Sequence, residues 1–113
     1  MYFKKNKLFI EKVDALKIVR KYGTPTYCYS LNRLRNNIRN FQQSFKSISP
    51  LICFSVKSNN NCQILKEIKK SGVGADVVSK GEMLQALKAG ILPKKIVFSG
   101  VGKKTEELKF AIE

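Results

Sequence analysis

The 113-residue chain has no histidine and no tryptophan, only three prolines and three cysteines, and eight acidic residues. With no imidazole and no Cys-x-x-Cys pair, a zinc site cannot be completed. Cys28, Cys53 and Cys62 are odd in number, so they do not form a disulfide frame. They read as small buried thiols of a reduced, cytoplasmic chain. No apolar run approaches the ~20 residues of a membrane span. The N-terminal Met-Tyr-Phe-Lys-Lys-Asn-Lys has no continuous apolar stretch after its charges, which argues against a secretory signal. No Gly-x-Gly-x-x-Gly or Walker loop is present.

Acidic residues are scarce beside 22 Lys and Arg, and the net charge is +14. Such a balance suggests nucleic acid or an anionic surface. The basic residues are mostly lysine, however, and they are spread along the chain on the polar faces of its expected elements. This is a solvated surface rather than a patch, and neither a nucleic-acid nor a membrane partner is expected. At 43% apolar and 27% charged, the chain has enough apolar residues for a core and does not read as disordered.

The first expected helix covers Asp14 to Lys21, with Val13, Leu16 and Val19 on one face and Tyr22-Gly23 and Pro25 as its stop. Leu8-Phe9-Ile10 before it suggests an isolated strand. Thr26-Tyr27-Cys28-Tyr29 reads as a strand and Ser30 as a cap. Leu31, Leu34, Ile38, Phe41, Phe45 and Ile48 then recur at alternating spacings of 3 and 4, one long apolar helical stripe.

After Pro50 the pattern changes. Leu51–Val56 is a nearly continuous apolar run, as in a strand buried on both faces. A helix over Cys62–Lys70, a strand over Val73–Val78, a helix over Glu82–Ala89 and a strand over Lys95–Ser99 follow. Thr105 is placed to cap a last helix with Glu106 and Glu107 in its first turn. Strands begin about 22 residues apart, the spacing of βαβ units in a parallel sheet with right-handed connections. A closed eight-stranded barrel typically needs ~250 residues. The reading is therefore a small open α/β sheet or the front part of a larger barrel. Because Glu113 falls inside a helical pattern, the second is expected.

Three residues stand out chemically. Lys57 ends an apolar strand, where parallel α/β folds place their sites. Desolvation there would lower its pKa from ~10.4 and leave an amine able to form a Schiff base. The plainer alternative is a strand-end lysine turning into water. Asp76 interrupts an apolar strand, and a buried carboxylate needs a partner, with Lys57 or a cofactor group as candidates. A strand-edge aspartate near solvent is the alternative. Glu82, after Gly81, fits a first-turn acid complementing the helix dipole. Gly100-Val101-Gly102-Lys103 is a weak anion-loop candidate.

Taken together, Tyr22-Gly23-Thr24-Pro25-Thr26-Tyr27, Cys53-Phe54-Ser55-Val56-Lys57-Ser58-Asn59, Gly74-Ala75-Asp76-Val77-Val78-Ser79-Lys80-Gly81-Glu82 and Ile96-Val97-Phe98-Ser99-Gly100-Val101-Gly102-Lys103 occur in one order and spacing. The set resembles the diaminopimelate decarboxylases, among the alanine-racemase-like, fold-type III pyridoxal-phosphate enzymes. The resemblance covers about residues 8 to 113. It implies the N-terminal part of a pyridoxal-phosphate-binding (β/α)8 TIM-type barrel, three to four βα units long and not closed within this chain.

It also implies pyridoxal phosphate held as a covalent aldimine on Lys57, with Asp76 near that linkage and Glu82 organising the site. The implied reaction is decarboxylation of meso-2,6-diaminopimelate to L-lysine and CO2, with the amino acid as small-molecule partner and a homodimer for the full-length enzyme. Residues 1–25 would be an N-terminal arm packing on a missing C-terminal β domain, and 26–113 the partial barrel. The ring-stacking histidine of the family has no counterpart here, and the phosphate loop and substrate-binding residues lie downstream in the family. Ser55 and Ser58 replace the usual alanines, both small changes. A fragment of this kind is expected to be inactive and poorly soluble on its own. The alternatives are a small pyridoxal-phosphate-binding barrel protein, another basic amino-acid decarboxylase of ornithine or arginine type, or a basic nucleic-acid-binding domain.

Overall fold

The computed structural model describes all 113 residues, in two compact units, Met1–Asn37 and Ile38–Glu113.

In the first unit, strands β1 (Tyr2–Lys4), β2 (Lys7–Ile10) and β3 (Val13–Asp14) form an antiparallel sheet in that order. Leu8-Phe9-Ile10 is thus the centre of a sheet and not an isolated strand. Lys5 and Asn6 (φ 48° and 57°) make the two-residue turn between β1 and β2, the left-handed geometry that matches strand twist. Tyr2 stacks on its register partner Phe9, ring centroids 5.5 Å apart. Helix α1 (Ala15–Tyr22) starts where Asp14 Oδ1 accepts from Leu16 N at 2.9 Å, and it ends at Gly23 (φ 79°), a conformation suited to glycine. Thr26–Tyr29 forms no strand: it pairs with no neighbouring backbone, and a lone β-prone segment has no ladder to hold it extended as a strand.

Helix α2 (Leu31–Ser44) is shorter than its apolar stripe. The bonds Phe45 N to Gln42 O and Ile48 N to Phe45 O tighten the backbone into turns, and Ser49 (φ 44°) and Pro50 finish the break.

The second unit holds the parallel sheet β4 (Cys53–Ser55), β5 (Gly74–Val77) and β6 (Ile96–Phe98), with β5 in the middle. Helix α3 (Cys62–Lys70) connects β4 to β5, helix α4 (Lys80–Lys88) connects β5 to β6, and α5 (Thr105–Ile112) follows β6. The βα alternation is the expected one, and its three parallel strands form an unclosed sheet, as expected for part of a barrel. Caps match local chemistry: Asn61 accepts from Gln63 N and Ser79 from Glu82 N. The last helix differs from expectation, since its cap position is Lys104 and Thr105 is already helical.

The core lies on the helix-covered side. Val56, Leu65, Ile68, Ala75, Val77 and Ala86 are fully buried. Burying a side chain such as Leu65 contributes about 1.5–3 kcal/mol. The expected doubly buried strand over Leu51–Val56 is only partly so, because β4 is an edge strand: Cys53–Ser55 are half-buried and only Val56 is enclosed. Gly74 is where two backbones meet β5. A Cβ there would collide with the Lys95 carbonyl oxygen and lie 3.0 Å from Cys53 Sγ.

Candidate active site

Polar side chains gather at the C-terminal ends of β4, β5 and β6, the end at which parallel α/β folds bind ligands. Lys57 sits in the single 3-10 turn Val56–Ser58 that leaves β4. Its side chain is exposed and makes no hydrogen bond or ion pair. The expected desolvation among apolar neighbours is therefore not realised in this chain: the turn carries Lys57 out of the sheet while Val56 takes the enclosed position.

Asp76 is half-buried and next to last in β5. Its expected pairing with Lys57 is absent. Instead Ser55 Oγ donates to Asp76 Oδ2 at 3.2 Å and Ser99 Oγ donates to Asp76 Oδ1 at 2.5 Å. Ser55 is the register partner of Asp76 in β4, and Ser99 follows β6, where its backbone N–H bonds to Val77 O at 2.9 Å. A carboxylate on the central strand is thus held by one hydroxyl from each neighbour. The cost of partly burying it is offset by two donors rather than by a cation. The same charge acts on Cys53: burial pushes its thiol above the ordinary value and the Asp76 carboxylate adds to that.

Glu82 occupies the first turn of α4, as expected. Ser79 Oγ accepts from Glu82 N at 3.2 Å, and Glu82 Oε2 accepts from Val78 N at 3.0 Å. The loop after β5 is thereby closed onto the helix start, in the manner of a capping box. Glu82 organises its own loop and bonds to neither Lys57 nor Asp76. In Gly100–Lys103 the lysine ammonium bonds to the Gly100 carbonyl and lies 5.0 Å from the centre of the Phe98 ring, so that loop's cation is engaged within the loop itself.

Sequence reasoning missed three residues: Ser55, Ser99 and Glu107. Ser55 is a small change from alanine by its sequence position, yet its hydroxyl is a donor to Asp76. Period-2 alternation places Ser55 on the face of its register partner, a usable clue. Glu107, expected only to complement a helix dipole, accepts from Lys80 N at 2.9 Å and from Lys104 N at 3.1 Å, and these two bonds hold its carboxyl below the usual range. The cysteines also differ from expectation. Cys28 is exposed and Cys53 and Cys62 are only partly buried.

A strand-end lysine and a carboxylate held by two hydroxyls stand on successive βα units of an open parallel sheet, which places the chain in the α/β class. The chain belongs to the pyridoxal-dependent decarboxylases; their pyridoxal binding domain matches residues 31–113. It is 41% identical over 105 residues to a diaminopimelate decarboxylase of Neisseria meningitidis serogroup A, covering 93% of this chain and 26% of that protein. Among solved structures, the diaminopimelate decarboxylase from M. jannaschii matches with a TM-score of 0.93 at 33% identity, over 97% of this chain and 27% of that one. The Helicobacter pylori diaminopimelate decarboxylase complexed with L-lysine matches with a TM-score of 0.83 at 40% identity, over 87% and 25%. The chain spans about a quarter of the length of the relatives it matches. No helix is long and apolar enough to cross a membrane.

Proposed function

We propose that this chain supplies the cofactor lysine and the first strands of the barrel of a diaminopimelate decarboxylase, a pyridoxal-phosphate-dependent lyase that converts meso-2,6-diaminopimelate to L-lysine and CO2. The observation that carries the reading is Lys57, an exposed amine without a partner at the C-terminal end of β4, in a chain of the pyridoxal-dependent family.

The residues fit pyridoxal phosphate on the chemistry of the donor set. An aldehyde cofactor needs a primary amine free to bond to its carbonyl carbon, and Lys57 is such an amine. A carboxylate held by Ser55 and Ser99 gives the site a fixed negative group, and Asp76 has that geometry. When bound, the cofactor supplies an electron sink for the electron pair left as CO2 departs. Lys57 is the residue that would hold it and, once free, would carry protons at Nζ. Asp76, held by Ser55 and Ser99, would present a fixed carboxylate to the cofactor, and Glu82 keeps the β5 loop closed.

Specificity for diaminopimelate is supported by relatives of that name at about 40% identity, whereas likeness to a viral arginine decarboxylase at 23% identity concerns the fold alone. The remainder of the site, a second domain against residues 1–25 and a homodimer belong to the same reading.

The test is borohydride trapping. The polypeptide carrying this chain is incubated with pyridoxal phosphate, reduced and mapped by peptide mass spectrometry. A pyridoxyl adduct concentrated on Lys57 and abolished by Lys57→Arg is expected. Adducts scattered over the other lysines, with none favoured at Lys57, would overturn the reading.

A further inference from the structure

We infer that Glu107 is a positioning residue that straps together the two loops leaving β5 and β6. One carboxylate accepts from the first helical N–H of α4, at Lys80, and from the cap N–H of α5, at Lys104, at 2.9 and 3.1 Å. Both donors are helix-start N–H groups that have no backbone acceptor within their own helices. Each also lies at the positive end of a helix dipole, so a single negative charge satisfies two helices at once. A second contact joins the same parts: the Lys80 ammonium lies 4.5 Å from the centre of the Phe110 ring, also on α5. Helix α5 therefore grips Lys80 twice, by backbone and by side chain.

What the strap fixes is the site. Lys80 follows the loop whose Val78 N–H is held by Glu82, and Lys104 ends the loop that begins at Ser99. Ser99 in turn donates to Asp76. The two loops approach each other independently of the strap, because a Cβ at Gly100 would lie 3.5 Å from Val78 Cβ. Removing Glu107 frees the far end of the loop that carries the shorter of the two bonds to Asp76. The part of this inference that concerns cofactor binding rests on the reading of Lys57 above; the strap itself does not.

The experiment is amide hydrogen exchange, residue by residue, in the polypeptide that carries this chain, with pyridoxal phosphate trapping on Lys57 measured alongside. In Glu107→Ala the Lys80 and Lys104 amides should exchange about tenfold faster or more, the effect of losing hydrogen bonds to a charged acceptor. The Leu65 amide, in the buried core of α3, should be unchanged. Glu107→Gln retains one acceptor oxygen and should release only one of the two amides, which keeps the test decisive if the alanine variant unfolds. Glu106→Ala, on the same turn, should release neither. Half-saturation of the Lys57 adduct should need several-fold more pyridoxal phosphate in Glu107→Ala. Unchanged exchange at both amides overturns the strap. Released amides with unchanged trapping overturn its positioning role. If wild-type Lys57 takes no adduct, the decarboxylase reading fails, and the exchange data still decide the strap.

Discussion

Replacing Gly74 by alanine tests the packing of the parallel sheet at its tightest point. The added methyl would enter the space of the Lys95 carbonyl oxygen, stand 3.2 Å from the Lys95 carbonyl carbon, and stand 3.0 Å from Cys53 Sγ. The thiol can rotate, but the carbonyl is backbone and moves only if the start of β6 moves. Gly74 also donates to Ile52 O at 2.8 Å, so any shift of β5 away from Lys95 strains the pairing with β4 as well. Overpacking of this kind costs about 1–3 kcal/mol, and the upper end is expected where the obstacle is main chain. With a urea slope of ~1 kcal/mol/M for a small domain, the midpoint of unfolding should fall by roughly 1–3 M. The comparison variant is Gly81→Ala. That glycine lies in the first turn of α4 with ordinary backbone angles, and its Cβ would meet nothing nearer than Ser79 Oγ at 3.7 Å. It should raise stability by about 0.5 kcal/mol, because alanine loses less conformational freedom in a helix. The assay is urea unfolding of both variants in the polypeptide carrying this chain, followed by far-UV circular dichroism. A Gly74→Ala midpoint equal to or above the wild type would refute the argument from backbone contact.

Two further outcomes follow from the charged and sulfur groups. Glu11 accepts from Ser30 Oγ at 2.6 Å and from Asn32 N at 3.0 Å, and these bonds hold its carboxyl below the usual range, as those from Lys80 and Lys104 do for Glu107. A lowered folded-state pKa contributes stability that is present above the ordinary carboxylate pKa of ~4.3 and lost as pH falls through the lowered values. The urea midpoint should therefore decline on acidification below about pH 4.3, and the Glu11→Gln, Glu107→Gln double variant should show a flatter acid limb; identical limbs would contradict this. Iodoacetamide should label exposed Cys28 first and Cys53 last, since the Cys53 thiol is pushed up by burial and by Asp76; peptide mapping at short times reads the order directly.

The βα alternation after Pro50 was legible because each element carries its own punctuation. Asn61 and Ser79 cap helices, Gly72 and Gly90 end them in the left-handed region, and strands of apolar residues alternate with helical stripes. Lys57 and Asp76 could be picked out because each is a polar interruption of an apolar strand. Their partners could not, since partners depend on register between strands more than twenty residues apart, and local patterns do not encode that pairing. Thr26–Tyr29 shows the opposite failure. Its β-prone side chains describe a tendency that only a neighbouring strand can realise. The stripe through Ile48 overran its helix because period alone does not register the positive φ at Ser49 ahead of Pro50. The position of Glu107 in the sequence shows only its effect on its own helix, while its second oxygen reaches another.

The bonds that converge on Asp76 also act as a gauge of strand alignment. Ser55 reaches that carboxylate from β4 and Ser99 from beyond β6. Side chains alternate faces along a strand, so a slip of one residue on either side would turn the hydroxyl to the opposite face and leave a carboxylate short of a donor. Apolar neighbours such as Val77 and Ala75 tolerate near substitutes in a misaligned sheet, but an anion with a missing donor does not. A misaligned sheet would therefore be penalised at the same point where the chemistry is proposed to occur, and a chain that has assembled its Asp76 cluster has, by that fact, matched all three strands.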